Sequence, residues 1–432
     1  MLAIISPNLY NCNMKSYDVV IFGGGTAGCA CAWNCAKFGL KTLLLEKNSY
    51  LGGAMTGALV IPIMKSGDNQ INTDFYNELT KQMRAYSAQI TYQGNQGWFN
   101  PQILKIVLEN VLSTAGVEIL YGFDTKILSP CNVTIDTNNI YKINSDKLSV
   151  YIEAKYYVDA TGNCDFSKLI NCEFLDDSQD FQPMSLRFIM SGVNLKTLGN
   201  WLLELDSDRN VTTVQEIDGG THLSTAYTWD TDKHWALAPL FDKAVEFDEL
   251  KDSDRNYFQI FTVAGTSDSV AFNCPRLVKR YNPNNIQDVS SALIEGRQAI
   301  FRISEFCKKY FKGFEKAYIS DIADSVGVRV SRRIKGKYIY RIEDLRSGKK
   351  FEHPAVISNY PVDVHNAQKE ASTLEMTGEY QLPIESLMSA DYENLFVAGR
   401  CLSADYMAQG ALRVQASCFS MGEAIAKYIA RI

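Results

Sequence analysis

Three glycines, Gly23, Gly25 and Gly28, stand in a G-x-G-x-x-G spacing, and an acid, Glu46, follows 18 residues after the last of them. Residue types in that order can hold a pyrophosphate. Gly23 permits a tight turn, Gly25 lets the backbone approach the phosphates, and Gly28 lets a helix pack closely on a strand. Thr26 and Ala27 stand between them, where a helix would begin and its unpaired N–H groups would face an anion. Glu46 is placed to accept bonds from both ribose hydroxyls. The chemistry implied is the grip on a dinucleotide with an ADP half.

Elements of the right kind flank these residues. Residues 17–22, Tyr-Asp-Val-Val-Ile-Phe, form a short apolar run suited to a parallel strand buried on both faces. Small and apolar residues continue from Cys29 through Ala36, as suits a helix pressed on a sheet, and residues 41–45 supply a second strand that ends at Glu46. Strand, glycine turn, helix, strand and acid form the complete dinucleotide fingerprint.

Beyond Glu46 the chain reads Lys47, Asn48, Ser49, Tyr50, Leu51, Gly52, Gly53, Ala54. This Leu-Gly-Gly loop resembles the glutathione-reductase-like class of FAD proteins, where it passes the pyrophosphate towards the flavin. Residues 156–162, a strand ending in Ala160, Thr161 and Gly162, resemble the second signature of that class. Residues 394–400, a strand reaching Gly399 and Arg400, followed by Gly410, Arg413, Val414 and Gln415, resemble the last one. There a helix N-terminus points at the N1–C2=O edge of the isoalloxazine, and its dipole favours the anionic reduced ring. Residues 313–318, 327–334 and 360–365 add further shared phrases. From Tyr17 onwards the chain resembles the FAD-dependent oxidoreductase family, distantly related to fumarate reductase flavoproteins.

The resemblance implies FAD as cofactor and an α/β fold: a Rossmann-like, three-layer ββα FAD-binding domain with an inserted, mainly β-sheet α+β substrate domain. It places residues 17–175 and 383–432 in the FAD domain, 176–382 in the substrate or cap domain, and 1–16 in a tail. The implied cofactor residues are Gly23, Gly25, Thr26, Ala27, Gly28, Glu46, Lys47, Gly52, Gly53, Ala54, Thr125, Ala160, Thr161, Gly162, Gly399, Arg400, Arg413 and Val414. One departure is visible. The family follows Ala-Thr-Gly with Asp-Gly-Asp, whereas this chain has Asn163, Cys164 and Asp165, which sets a thiol where a bare backbone is usual.

Between the signatures, residues 181–192, 221–238 and 257–274 carry strand-like alternation, and residues 288–311 an amphipathic helix with Ala292, Ile300, Ile303 and Phe306 on its apolar face. No second G-x-G-x-x-G lies in residues 176–382, so no NAD(P)H domain is expected there. An external electron donor or acceptor must serve instead. A hydride exchanged with flavin N5 needs a polar group to orient the substrate or move its proton. Arg276, Arg329 and His365 are the candidates for catalysis, with Arg332, Arg400 and Arg413 as further arginines suited to a carboxylate or polyhydroxyl substrate. His222 and His234 fit packing or a loop, and His353 is less favoured than His365.

With 432 residues, a formal charge of −6 and 46% hydrophobic residues, the composition is that of a globular protein without a basic stripe for nucleic acid. No apolar run reaches membrane-spanning length. Residues 1–16 lack a charged n-region and a small-residue cleavage site, so a cytoplasmic protein is expected. Eleven cysteines without any C-x-x-C read as free thiols, with no metal site. The expected activity is hydride transfer between a small organic substrate and FAD. The alternatives are a flavin monooxygenase or halogenase, and an electron-transfer subunit without substrate chemistry of its own.

Overall fold

Consecutive apolar residues let a strand be buried on both faces, and Val19, Val20, Ile21 and Phe22 of the first strand are all buried. The computed structural model describes residues 13–125, 128–129, 132–136, 139–145, 150–175, 181–227, 235–365, 371–374 and 378–432. The first stretch contains β1 (Asn13–Phe22), β2 (Thr42–Glu46), a hairpin of β3 (Gln89–Tyr92) and β4 (Asn95–Phe99), and β5 (Glu118–Tyr121). Then follow β6 (Val133–Asp136), β7 (Asn139–Ser145) and β8 (Val150–Asp159). The order β5-β2-β1-β8 is parallel throughout, and the late strand Leu395–Val397 adds to β8 in parallel. Strand β1 begins before the Tyr17 expected from the sequence, because residues from Asn13 on pair with β8 from Val150 on.

The two faces of these strands meet different layers. Val19, Ile21 and Leu44 pack with Cys29, Ala30 and Cys31 of helix α1 (Thr26–Lys37). Val20, Phe22, Leu43 and Leu45 instead pack with Val133, Ile140 and Ile143 of the antiparallel β6–β7 pair. This is the ββα layering. The helix Gln415–Ile429 lies against α1 at a contact where a methyl on Gly422 would sit 2.1 Å from the Ala27 carbonyl oxygen.

A second, wholly antiparallel sheet runs β10-β11-β12-β13-β9-β14. Its strands are β9 (Phe188–Ser191), β10 (Thr212–Ile217), β11 (Gly220–Tyr227), β12 (Phe258–Thr262), β13 (Val270–Phe272) and β14 (Tyr318–Ile322). The helix Ile286–Tyr310 buries Ala292, Ile300, Ile303 and Phe306, the face its sequence marks, and its Asn285 cap accepts from two first-turn N–H groups. Two sequence expectations shrink. Residues 181–192 are a strand only over Phe188–Ser191, because before it Ser185 bridges Arg276 and Gly327 as isolated pairs and not as a continuous ladder. Ala238 opens a helix, Ala238–Glu246, with proline in its first turn. Two short pairs complete the chain: β15 (Pro354–Ser358) with β18 (Tyr380–Pro383), and β16 (Val362–His365) with β17 (Ala371–Leu374). Among the described residues no helix is long and apolar enough to cross a membrane.

Candidate functional site

The turn after β1 is built as its glycines require. Gly23 has φ +95°, and a methyl there would lie 2.6 Å from the Ala160 carbonyl oxygen. A methyl on Gly28 would lie 1.9 Å from the Gly23 carbonyl oxygen. Gly25, the N-cap of α1, differs: its nearest neighbour to an added methyl is Gly53 Cα at 3.9 Å. Space is open on this side, over the unpaired N–H groups of Thr26, Ala27 and Gly28. That is the side a pyrophosphate needs, so these residues fit the expected cofactor.

Glu46 is buried at the end of β2. Its Oε2 accepts from the Gly24 N–H at 2.6 Å, and its Oε1 accepts from the Asn48 backbone N–H and side-chain amide. Oε2 keeps a second lone pair for a ribose hydroxyl, while Oε1 already accepts two bonds. The Gly52 N–H donates to the Gly24 carbonyl at 2.8 Å, and a methyl on Gly53 would press on Gly25 Cα, so the Leu-Gly-Gly loop is stitched to the glycine turn. Ala54 is partly buried beside it, Lys47 is exposed at the rim, and Thr125 is buried just past β5.

The Ala160–Thr161–Gly162 turn is held from below. Asp159, wholly buried, accepts from the Thr161 and Ser167 N–H and hydroxyl groups, and burial raises its pKa despite those bonds. Arg400 braces the turn through the Gly162 carbonyl, Asn163 Oδ1 and the Val328 carbonyl. Arg332 binds the Asn163 carbonyl and Asp165. Both are occupied by backbone and side-chain partners within the protein in this way. Gly399, at φ +71°, brings the last signature against Ala27. Cys164 has φ +54°, the left-handed conformation that explains the family's glycine. Its N–H donates to Cys401 Sγ at 3.1 Å, its thiol donates to the Arg332 carbonyl, and burial pushes the thiol well up from its usual range. It is a packed thiol, as are the other described cysteines, all free and buried. Among the described residues no metal-ligand cluster occurs.

The second sheet supplies arginines. Segments 184–187, 274–277 and 326–329 lie side by side, bonded through Leu277 N–H to the Met184 carbonyl, Leu186 N–H to the Pro275 carbonyl and Gly327 N–H to the Ser185 carbonyl. They bring Arg187, Arg276 and Arg329 together. Arg276 is buried over the Tyr257 ring, 4.2 Å from its centre. From the other side, β16 packs on the short helix Tyr406–Leu412, where a methyl on Gly410 would lie 2.8 Å from Val364. That contact sets Asp363 and His365 beside Arg413. Arg413 donates to Asp363 Oδ2 at 3.1 Å and to its carbonyl at 2.9 Å, and His365 Nε2 lies 3.1 Å from the same carboxylate oxygen.

Electrostatics follow from this crowding. Burial, then mutual repulsion, lowers the Arg187 and Arg276 pKa values from 12.5 to about 10, and Arg329 well below its usual value. Burial and the Arg329 charge bring His365 from 6.5 down to about 3, against the pull of Asp363. Burial alone would raise Asp363, but the His365 bond and Arg413 outweigh it and hold the carboxylate ionised. Gln182 Nε2, His365 Nδ1, Gln409 Oε1, Arg413 Nε, Gln415 Oε1 and Ser417 Oγ are buried without a hydrogen-bond partner among the described residues. Buried polar atoms left open in one neighbourhood mark a place for ligand atoms.

Of the sequence candidates, Arg276, Arg329, His365 and Arg413 thus converge, and Val414 caps the Gln415–Ile429 helix next to them. His353 is exposed and His222 is buried against Thr262, both away from this cluster, while His234 lies outside the described residues. Arg187, Asp363 and Gln182 were missed. Asp363 carried a signal, standing two residues before His365 so that both side chains share one strand face.

The family model described as FAD dependent oxidoreductase matches residues 18–431. A digeranylgeranylglycerophospholipid reductase of Methanococcus vannielii is 37% identical over 67 residues, 16% of this chain and 17% of that protein. A 1H-pyrrole-2-carbonyl peptidyl-carrier protein brominase of Pseudoalteromonas luteoviolacea is 29% identical over 172 residues, 35% of this chain and 39% of that protein. The chain therefore matches well under two thirds of either relative's length. A geranylgeranyl bacteriochlorophyll reductase-like structure from Thermoplasma acidophilum has a TM-score of 0.46 at 13% identity, covering 97% of this chain and 78% of that one.

Proposed function

The chain belongs to the FAD-dependent oxidoreductase family, with FAD as its cofactor, and from that premise we propose that it moves a hydride between a small organic substrate and the flavin N5. The observation that carries this reading is His365 Nδ1, buried, unpartnered among the described residues, and set among Arg276, Arg329 and Arg413 next to the start of the Gln415–Ile429 helix. FAD, when bound, supplies the two-electron centre. Gly23, Gly25, Thr26, Ala27 and Gly28 hold its pyrophosphate and Glu46 its ribose. Gly52, Gly53, Ala54 and Lys47 line its path, and Thr125 stands at the adenine end. Ala160, Thr161, Gly162, Gly399, Arg400, Arg413 and Val414 surround the flavin end. Residues 17–175 and 383–432 then form the cofactor domain, and residues 176–382 cover the flavin and bear the substrate.

In this reading Arg276 and Arg329 orient the substrate through paired N–H donors, and His365 takes or returns a proton at Nδ1. An external donor or acceptor completes the cycle. The brominase match supports a second reading, oxygen-dependent halogenation or hydroxylation, which parts from the first in its demand for O₂. The test is anaerobic mixing of the yellow holoenzyme with hydroxy acids, sugars and amines, followed at the flavin band. Bleaching by a donor, or reoxidation of chemically reduced enzyme by an enoate, supports hydride transfer. If neither occurs and turnover requires O₂, hydride transfer to a substrate is wrong.

A further inference from the structure

Four guanidiniums, those of Arg187, Arg276, Arg329 and Arg413, crowd one partly buried place, and Asp363 is the carboxylate that faces them among the described residues. Each guanidinium has five N–H donors in a planar fork. Among the described contacts, Arg187, Arg329 and Arg413 use few of theirs. Arg187 donates to the Leu59 carbonyl, Arg329 to the Pro183 carbonyl and Arg413 to Asp363, while Arg413 Nε stays open. A desolvated surplus of positive charge is costly unless a counter-charge joins it. Planar forks of this kind match a carboxylate in geometry as well as in sign.

His365 stands inside this field. Its Nε2 is fixed on Asp363, which leaves the open Nδ1 as the atom available to a ligand. The groups facing the ring are Asp363 on its own strand, Arg276 and Arg329 from beside the second sheet, and Arg413 from the helix Tyr406–Leu412, with Arg187, Tyr257 and Tyr360 around them. Burial and the arginine charges disfavour the protonated imidazole, which makes it a poor base.

Resting on the hydride-transfer reading above, we propose that these arginines seat a carboxylate of the substrate beside His365, and that this carboxylate, by offsetting their charge, converts His365 Nδ1 from a proton-repelling site into a proton acceptor. The proton comes from the substrate's hydroxyl or equivalent group and rests on Nδ1, and the electron pair leaves by the hydride transfer already described. A neutral substrate of the same shape would leave the imidazole without its basicity. Selection for acids is thereby built into the proton step as well as into binding.

The experiment uses holoenzyme labelled with ¹⁵N-histidine; the chain has 4 histidines, so His365→Gln assigns the signal. The ring is titrated with acid alone, with acetate and with acetamide. Acetate is expected to raise the His365 midpoint by about 1–3 units, the usual effect of one nearby charge, and acetamide to leave it unmoved. Arg276→Gln and the gentler Arg276→Lys, both retaining the flavin spectrum, are expected to weaken acetate binding and shrink the shift, glutamine more than lysine. Equal shifts by acetate and acetamide, or an acetate shift unchanged in Arg276→Gln, overturn the proposal. Flavin bleaching by neutral alcohols with no acetate effect on His365 also overturns it while leaving hydride transfer intact. An acetate-shifted His365 in an enzyme that no donor bleaches supports the anion site and removes hydride transfer instead.

Discussion

Gly25 and Gly28 are three residues apart and identical in type, yet they do different things. A methyl on Gly28 collides with the Gly23 carbonyl at 1.9 Å, whereas on Gly25 it enters open space bounded by Gly53 at 3.9 Å. Gly28→Ala must therefore deform the turn itself, and is expected to lower apoprotein stability by about 3 kcal/mol, the upper end of ordinary overpacking. Gly25→Ala adopts its backbone without strain (φ −76°) and should leave apoprotein stability within about 0.5 kcal/mol. Its methyl takes the place where the pyrophosphate belongs, so FAD affinity should fall at least about tenfold, roughly 1.4 kcal/mol. Urea unfolding of the apoproteins and FAD titration separate the two, and a Gly25→Ala protein binding FAD normally would remove the phosphate site from this turn. The sequence pointed to both glycines because their spacing is local. It also pointed to Arg276, Arg329 and His365, but Arg187 joins them only through the pairing of segments 184–187, 274–277 and 326–329. Nothing in the residues flanking Arg187 marks it, since what gathers the arginines is pairing between stretches up to about 140 positions apart.

At the scale of elements, the helix Gln415–Ile429 carries both a site and a seam. Its first turn bears the open Gln415 Oε1 and Ser417 Oγ on the proposed cofactor side, while further along it rests on α1 through Gly422, whose added methyl would meet the Ala27 carbonyl at 2.1 Å and the Cys31 nitrogen at 2.8 Å. Both partners there are backbone, so neither can swing aside. Gly422→Ala is expected to destabilise the protein by about 1–3 kcal/mol and to weaken FAD binding with it, because α1 presents the pyrophosphate amides. Gly378→Ala, where an added methyl meets nothing within 4 Å, is the control and should be neutral. Calorimetric melting of the two variants decides it; equal melting would mean the helices can separate at Gly422 without cost. The strands and this helix were legible from apolar period and small residues. The seam was not, since Gly422 and Ala27 lie about 400 residues apart and a glycine in a helix carries no mark of its partner. The short strand at Phe188–Ser191, expected to run from 181, shows a complementary limit: alternation extends across 184–187, but Ser185 there bridges Arg276 and Gly327 in isolated pairs that local alternation does not distinguish from a ladder.

Across the whole molecule, the residues expected around FAD come from both ends of the chain and are already joined by protein contacts alone. Gly24 is tied to Glu46 and Gly52, Gly162 to Arg400, and Gly399 rests near Ala27. A site so assembled should accept each half of the cofactor separately, and unequally. In the proposed placement the nucleotide half would meet a turn of closely packed glycines and a buried acid. The flavin half would meet atoms open among the described residues, Gln409 Oε1, Gln415 Oε1 and Ser417 Oγ, and no glycine turn of the first kind. Stripping FAD is therefore expected to lower the melting temperature, and saturating FAD to restore it; one ligand at a hundred times its Kd contributes about 2.7 kcal/mol. ADP should restore part of that shift because it engages Gly25 to Gly28 and Glu46, whereas FMN, without the adenosine, should restore little. Melting curves of the stripped protein with FAD, ADP and FMN at equal concentration make the comparison. Recovery by FMN equal to that by FAD would move the main anchor from the first turn to the C-terminal helix. The β1–α1–β2 unit would then be a packing motif that only looks like a nucleotide grip.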